Sequence, residues 1–419
     1  MSTKTILVIG ATGHVGQHVV TCLLEAGAAV TALTRDPERA SASGQLPGGV
    51  TAVAGDLTDP GSLRAAAEGA DAAFLLWPFL SADGADAAVR ALASQVSHIV
   101  YLSAISVRDG GTPEENGVWG QVERAVERHA ARRTFLRAGG FATNTLGWAG
   151  EIRERGAVRW AYGAAARSLI HERDIADVAV AALTDAKHAG AIYVLTGPDA
   201  ITQADQARII GEVTGLPVRW DEAPAEEIAE VMAAFTGDRA FADHAVAYWA
   251  GLVNQPEQVT GDVERVTGAP ARTFREWVRD HAAEFLPVTP AEVIGRYVAL
   301  LREGDLVSAL SLLAPDVVRV APLEAAGGGT AGLHGVEAIM ENARVQTSGL
   351  DIREVAIDGP SPLGDRFAVR FTFDELRLAD GQALTAEKMS VYTVRDGAID
   401  REEVYYHTAP HAGTGYPAS

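Results

Sequence analysis

Cysteine is almost absent from this chain: 419 residues carry one, Cys22. A lone thiol excludes an intramolecular disulfide framework and a multi-cysteine zinc site, and no metal is expected. Basic residues are outnumbered, 35 against 55 acidic, giving a formal charge of −20. Such a chain lacks the positive footprint that a phosphate backbone demands, so neither nucleic acid nor an anionic membrane surface is an expected partner. No apolar run approaches the roughly 18 residues that cross a bilayer; the longest candidate is Ala72–Leu80. The N-terminus shows no charged-then-apolar export signal, and strand-type residues begin at Thr5, so a cytoplasmic protein is the expectation. No internal repeat is visible. What is present is a globular mixture, 47% hydrophobic and 21% charged, in a chain long enough for two or three domains.

The first part alternates short apolar runs with helical periodicity. Runs of strand type fall at Thr5–Ile9, Ala29–Thr34, Val50–Ala54, Ala72–Trp77, His98–Ser103 and Thr134–Arg137. Helical spacing follows the first run from Val15 to Ala26, and further helices are expected over 59–68 and 115–131. This order predicts βαβ units and a doubly wound parallel sheet of Rossmann type, with a smaller helical region after it. Asp174 reads as the N-cap of a helix carrying Ile175, Val178 and Leu183. Another helix is expected over 273–285, and a domain boundary at Leu286-Pro287-Val288.

The texture then changes. Thr289-Pro290-Ala291-Glu292 combines a capping box with proline at the first helical position, and its helix stops at Gly304, where Asp305 can cap the next. After Gly335 a short helix is expected, then only strands: 351–357, 366–378, 384–394 and 399–406, with Asp396-Gly397 as a hairpin turn. Helices followed by a curved antiparallel sheet predict an α+β domain over 288–410. Residues 411–419 read as a flexible tail.

Gly10-Ala11-Thr12-Gly13-His14-Val15-Gly16 joins the first strand to the first helix. Glycines there permit a tight turn and close approach of a ligand, while the helix N-terminus offers amides to a pyrophosphate. Dinucleotide binding is the favoured reading; a turn that only packs helix on strand is the alternative. The second strand ends in Thr34-Arg35-Asp36. An acid would hold the 2′-hydroxyl of NAD and an arginine the 2′-phosphate of NADP. Arg35 and Asp36 compete, and NADP(H) is favoured; in the alternative Asp36 only caps the next helix and Arg35 is solvated. Asp56, ahead of Leu57, could accept from an adenine amine or simply make a turn.

Residues 1–286 resemble the NmrA-like group of atypical short-chain dehydrogenases. The resemblance rests on Val8–Gly16, Thr34-Arg35-Asp36-Pro37, Gly55-Asp56-Leu57, Leu136–Phe141 with Asn144, and Arg173-Asp174-Ile175-Ala176. It implies NADP(H) across the C-terminal strand ends and a substrate cleft roofed by the segments after Phe141. It also implies relatives that reduce quinones, enones or isoflavones, and others that only sense the cofactor. Carbonyl-reducing short-chain dehydrogenases usually carry a Tyr-x-x-x-Lys pair. The matching helix here reads Val118-Trp119-Gly120-Gln121-Val122-Glu123, with neither residue. Gln121 can bond a ribose but cannot pass a proton.

Around the implied cleft, Trp77 could wall an aromatic substrate, Ser103 could bond a carbonyl oxygen, and Gly140 and Phe141 match the loop beside the nicotinamide. His171 is the titratable candidate for proton transfer, or a structural histidine. Residues 288–410 resemble the SnoaL-like (polyketide-cyclase-like) branch of the NTF2-like fold, which implies a conical half-barrel with an apolar pocket, proton-transfer chemistry in some members, and frequent homodimers. Glu387, alternating with Met389, Val391 and Thr393, is the first candidate for its inward acid or base, then His407 and Asp374. The combined expectation is an NADPH-dependent reductase of a carbonyl, enone or quinone in a polyketide-like small molecule, fused to a cyclase- or isomerase-like domain. A cofactor sensor and a non-redox cyclase are the alternatives.

Overall fold

The computed structural model describes residues 3–42, 44–112, 115–321 and 332–407; the expected tail lies outside them. The chain divides into two compact units, Met1–Leu286 and Pro287–Ser419.

The first unit is built on strands β1 (Thr5–Ile9), β2 (Ala29–Thr34), β3 (Val50–Ala54), β4 (Ala72–Leu76), β5 (His98–Ala104) and β6 (Arg132–Ala138). Shorter strands follow: β7 (Ala157–Trp160), β8 (Ala166–Arg167), β9 (Ile192–Leu195), β10 (Ile201–Thr202) and β11 (Arg219–Glu222). Its helices are α1 (His14–Glu25), α2 (Pro37–Ala42), α3 (Pro60–Ala66), α4 (Ala85–Ala93), α5 (Gly117–His129), α6 (Ala149–Arg155) and α7 (Glu172–Thr184). Beyond them lie α8 (Gln203–Thr214), α9 (Ala225–Thr236), α10 (Arg239–Leu252), α11 (Asp262–Thr267), α12 (Phe274–Asp280) and α13 (Ala282–Phe285).

Seven strands form one sheet in the order β3-β2-β1-β4-β5-β6-β9, every pair parallel. Both faces are covered, so the strands are apolar throughout rather than alternating. In β1, Ile6 and Val8 enter the core shared with α1 and α7. Leu7 and Ile9 enter the opposite core with α4 and α5. Strand order reverses between β1 and β4, and the crevice outside the strand ends at such a point is where α/β sheets take ligands. The doubly wound reading is thus borne out.

Beyond β6 the chain builds a smaller lobe around Trp148, Ile210, Phe274, Trp277 and Phe285. Parallel β7 and β11 and antiparallel β8 and β10 edge this lobe; the sequence reading shows none of these four short strands. Two of its expectations need correction. Asp174 is not the cap of α7: His171 is, its ring accepting from the Arg173 amide, while Asp174 lies inside the first turn. The helix expected over 273–285 breaks at His281, between α12 and α13, because that residue turns to a buried partner described below.

The second unit opens with α14 (Pro290–Glu303) and α15 (Leu306–Leu310), followed by β12 (Leu313–Val320), β13 (Leu333–His334) and α16 (Val336–Gln346). Four long strands follow: β14 (Leu350–Leu363), β15 (Arg366–Arg377), β16 (Ala383–Arg395) and β17 (Ala398–Tyr406). Thr289 and Glu292 complete the capping box at α14, and Asp305 caps α15. The six-stranded sheet runs β13-β12-β17-β16-β15-β14. Asp396 and Gly397 both adopt positive φ, the geometry of a two-residue hairpin turn. Helix α14 lays Val293, Ile294, Tyr297 and Val298 against Val369, Phe371, Tyr392 and Val394. Among the described residues no helix is long and apolar enough to cross a membrane, and no group of three or more metal-type side chains is arranged to hold an ion.

Candidate active site

The turn after β1 passes through Gly10 at φ +84°, a conformation that L side chains rarely adopt. The Gly13 amide donates back to the Gly10 carbonyl at 3.0 Å, and Gln17 Nε2 donates to the Thr12 carbonyl at 3.0 Å. Gly13 caps α1 without a side-chain bond, which leaves the first amides of the helix for an anion. A methyl group at Gly13 would meet only the Gly10 oxygen, at 3.5 Å, so the space above it is open. Gly16 is the opposite case: its Cβ would fall 1.9 Å from that oxygen. Gly16 lets α1 press onto the turn, and Gly13 keeps the room above it clear. Val15 is buried in the core, Thr12 is half-buried and His14 is exposed. The cradle fits a pyrophosphate.

Arg35, at the end of β2, is exposed. The Asp36 carboxylate accepts from the Arg39 amide at 3.0 Å and so starts α2. Of the two competitors for the ribose, one is occupied as a cap. Asp56 accepts from the Thr58 amide at 2.8 Å and the Thr58 hydroxyl at 2.7 Å, bonds that hold its carboxyl below the usual range. One of its oxygens is therefore spent on a turn. Leu57 is buried beside Leu33.

At the β4–β5–β6 side several expectations change. Trp77 is buried in the core, its indole nitrogen donating to the Ser81 carbonyl at 2.8 Å, so it props the loop rather than walling a substrate. Phe79, which meets it edge-on at 5.1 Å, is the exposed aromatic of that loop. The Ser103 hydroxyl donates to Glu123 Oε1 at 2.5 Å. Arg137 grips the same carboxylate through Nε at 3.0 Å and Nη2 at 2.8 Å, and reaches Asp109 through Nη1 at 2.7 Å. Ser103 is thus part of a buried strut between β5, β6 and α5, not a hydroxyl waiting for a carbonyl. Gln121 and Asn144 are exposed and Phe141 half-buried. Gly140 is pressed by a neighbouring guanidinium, considered below.

For His171 the structural alternative fits and the proton-transfer reading is corrected. It is 1% exposed, with Nδ1 3.2 Å from Glu172 and Nε2 3.3 Å from Asp280. Glu172, equally buried, takes His281 Nε2 at 2.6 Å and the Trp277 indole at 2.9 Å, with His18 at 3.9 Å. Burial alone would raise the Glu172 pKa, but the imidazoles of His171 and His281 outweigh it and hold the carboxyl well below its usual range. This knot ties α12 to α7 and α1. The hydrogen bond to Glu172 raises the His281 pKa against the effect of burial. Its share of stability is complete below its ordinary 6.5 and is lost as pH rises through the raised folded value. Burial lowers the His18 pKa, so that ring works the other way, costing stability as pH falls below 6.5. His281→Gln is therefore expected to depress the melting temperature most near pH 6 and less towards pH 9. A penalty that does not vary with pH would contradict the assignment.

Nearby, Arg272 pairs with buried Asp174 and with Asp177. Cys22 donates to Asp177, and burial followed by that charge pushes its thiol up to about 11. The one cysteine is therefore a poor nucleophile.

In the second unit the expected face is the wrong one. The inward face of β16 carries Ala386, Lys388, Ser390, Tyr392 and Val394, opposite Glu402 and Val404 of β17. Glu387 is half-buried on the other face, opposite Thr372. Asp374 on that same face is exposed, and His407 is exposed as well. The inward acid is Glu402, 7% exposed. It accepts from Ser390 at 2.7 Å and Tyr392 at 3.1 Å, and Arg319 Nη1 lies 3.4 Å away. Tyr297 meets Tyr392 edge-on at 5.4 Å. Burial would raise the Glu402 pKa, but the charges of Arg319 and Lys388 prevail and hold it below the ordinary value. The arrangement is an ionised carboxylate among hydroxyls and a guanidinium, beside an apolar core.

Residues 2–275 match the model of the NmrA-like family, and residues 294–402 match that of the SnoaL-like domain. The chain is 37% identical to the (4-alkanoyl-5-oxo-2,5-dihydrofuran-3-yl)methyl phosphate reductase of Streptomyces griseus, over 67% of this chain and 99% of that one. It is 34% identical to the NAD(P)H azoreductase of Xenophilus azovorans, again over 67% and 99%. The triphenylmethane reductase of a Citrobacter species, solved with NADP(H), shares the fold: TM-score 0.56, 24% identity, 66% of this chain and 99% of that one. The chain belongs to the NmrA-like family of oxidoreductases and carries a SnoaL-like domain behind its Rossmann unit.

Proposed function

We propose that the first unit is an NADPH-dependent reductase of conjugated acceptors. The carrying observation is the division of labour after β2: Asp36 caps α2 while Arg35 stays exposed at the strand end, which suits a 2′-phosphate. The pyrophosphate falls to the Gly10–Gly16 cradle. When bound, the cofactor supplies a hydride. The chain's own residues position it and the acceptor, since His171 is buried, Ser103 is bonded to Glu123, and Gln121 cannot pass a proton. That favours acceptors whose reduced form spreads its charge and takes a proton from water: quinones, enones, azo compounds. The named activities of the Streptomyces and Xenophilus relatives fall in this chemistry. The sensor reading would have the same cradle and no turnover.

The second unit is proposed to act on the same polyketide-like metabolite by proton transfer, with Glu402 in place of Glu387 as its base. A homodimer through the outer sheet face is part of the same reading, supported by the mixture of Arg366, Arg370, Arg401 and Glu403 on that face. NADPH oxidation followed at 340 nm across quinones, enones and azo compounds tests the reductase. Turnover of at least one class is expected; background rates with all three, in protein that binds NADPH, would leave the sensor.

A further inference from the structure

Among the described residues of the first unit, the half-buried Arg167 is a cation without an ion pair. Arg167, the last residue of β8, makes no hydrogen bond or ion pair among the described residues, and its Nε is buried from water without a partner. The carboxylate that meets the neighbouring Ser168 is already engaged: Glu257 accepts from the Ser168 amide and hydroxyl at 2.9 Å each and from the Tyr248 hydroxyl at 2.5 Å. Tyr248 is near enough for the Arg167 charge to act on its hydroxyl.

The guanidinium has a defined seat. A Cβ at Gly140 would lie 2.0 Å from Arg167 Nη2 and 2.5 Å from Cζ, so the absence of a side chain at Gly140 lets the planar group lie against the backbone that leaves β6. Phe141 follows and pairs with Ile170 across from it. In the strand order β3-β2-β1-β4-β5-β6-β9, Arg35 and Asp56 mark the adenosine side, the glycine loop the centre, and the exit of β6 the opposite end. The two anionic parts of the cofactor are accounted for at the first two places. Arg167 stands at the third, against Gly140, in the loop that the family resemblance puts beside the nicotinamide.

We propose that Arg167 is a specificity residue that binds an oxyanionic substituent of the substrate, a phosphate, sulfonate or carboxylate, beside the reacting atoms. The inference rests on the reductase reading of this site. A guanidinium forks onto such groups with two parallel hydrogen bonds, which Nη1 and Nη2 can offer. The preferred acceptor is then a conjugated molecule with an acidic arm, not a neutral one.

Two arms test it on the full-length protein. In the first, NADPH-loaded protein is titrated with 2-naphthalenesulfonate and with neutral 2-naphthalenesulfonamide. The sulfonate is expected to bind more tightly, and Arg167→Gln to remove that preference by roughly 10- to 100-fold, the worth of a hydrogen bond to a charged group. Arg167→Lys should keep part of it, and thermal melting verifies that both variants fold. In the second arm, 1,4-naphthoquinone-2-sulfonate and 1,4-naphthoquinone are compared as acceptors. Arg167→Gln is expected to raise KM for the sulfonate selectively and to leave the NADPH Kd in place. Equal losses on both acceptors, or no charge preference in wild-type binding, would overturn the proposal. Charge-selective binding without turnover of either quinone would instead sink the reductase reading and leave Arg167 as the anion site.

Discussion

A single methyl group at Gly16 is expected to cost the protein its cofactor. The Cβ of Gly16→Ala would lie 1.9 Å from the Gly10 oxygen, 2.6 Å from its carbonyl carbon and 2.9 Å from the Ala11 Cα. All three are backbone atoms, so no rotamer change relieves the clash; α1 or the turn must move. Overpacking of this kind costs about 1–3 kcal/mol. Because the displaced elements are the pyrophosphate cradle itself, NADPH affinity should fall roughly 10- to 100-fold, with a lower melting temperature. Gly13→Ala separates the two effects. Its Cβ meets only one atom, at 3.5 Å, so the fold should hold while the methyl occupies the space a pyrophosphate needs. Fluorescence titration with NADPH beside thermal melting measures both. Gly13→Ala binding NADPH as wild type does would contradict the cradle.

The second large effect is expected at Glu402. Glu402→Ala removes the carboxylate to which Arg319, Ser390 and Tyr392 turn, and breaking a buried ion pair from one side costs about 3–5 kcal/mol. Asp374→Ala, on the outer face, should stay within about 0.5 kcal/mol. All seven tryptophans precede Leu286, so intrinsic tryptophan fluorescence follows the first unit alone. Hydrogen exchange along β16 and β17 follows the second. Faster exchange there in Glu402→Ala, with β1 and β4 unchanged, is the expected pattern. Glu402→Ala exchanging like wild type, with Asp374→Ala fast, would restore the other face as the interior.

That face shows where the sequence stops being legible. Along β16 one parity reads Glu387, Met389, Val391, Thr393 and the other Lys388, Ser390, Tyr392, Val394. Both are mixtures, and Val391 is buried on the outer side too. Which parity faces inward depends on where α14 lies, and local alternation does not contain that. The cofactor half was legible because its glycines, Gly10, Gly13 and Gly16, fall within one short turn and each has a local backbone reason. The ends of β1 to β6 fall within two residues of their expected places for the same reason, since the apolar runs of a doubly covered sheet need no partner to be seen; β9, the edge strand, was not expected. The catalytic readings of His171 and Ser103 fail because their partners are remote in sequence. Glu123 stands 20 residues from Ser103 and Asp280 109 residues from His171. Arg167 carries no motif; its significance comes from what fails to surround it.

The central claim is an NADPH site whose selectivity comes from Arg35. The measurement that meets it most directly is titration of the full-length protein with NADPH and NADH, in wild type and Arg35→Ala, by nicotinamide fluorescence. The account predicts tighter binding of NADPH by wild type, a roughly 10- to 100-fold loss of that affinity in the variant, and little change for NADH. Equal affinity for both cofactors in wild type, or an Arg35→Ala protein that still prefers NADPH, would contradict it.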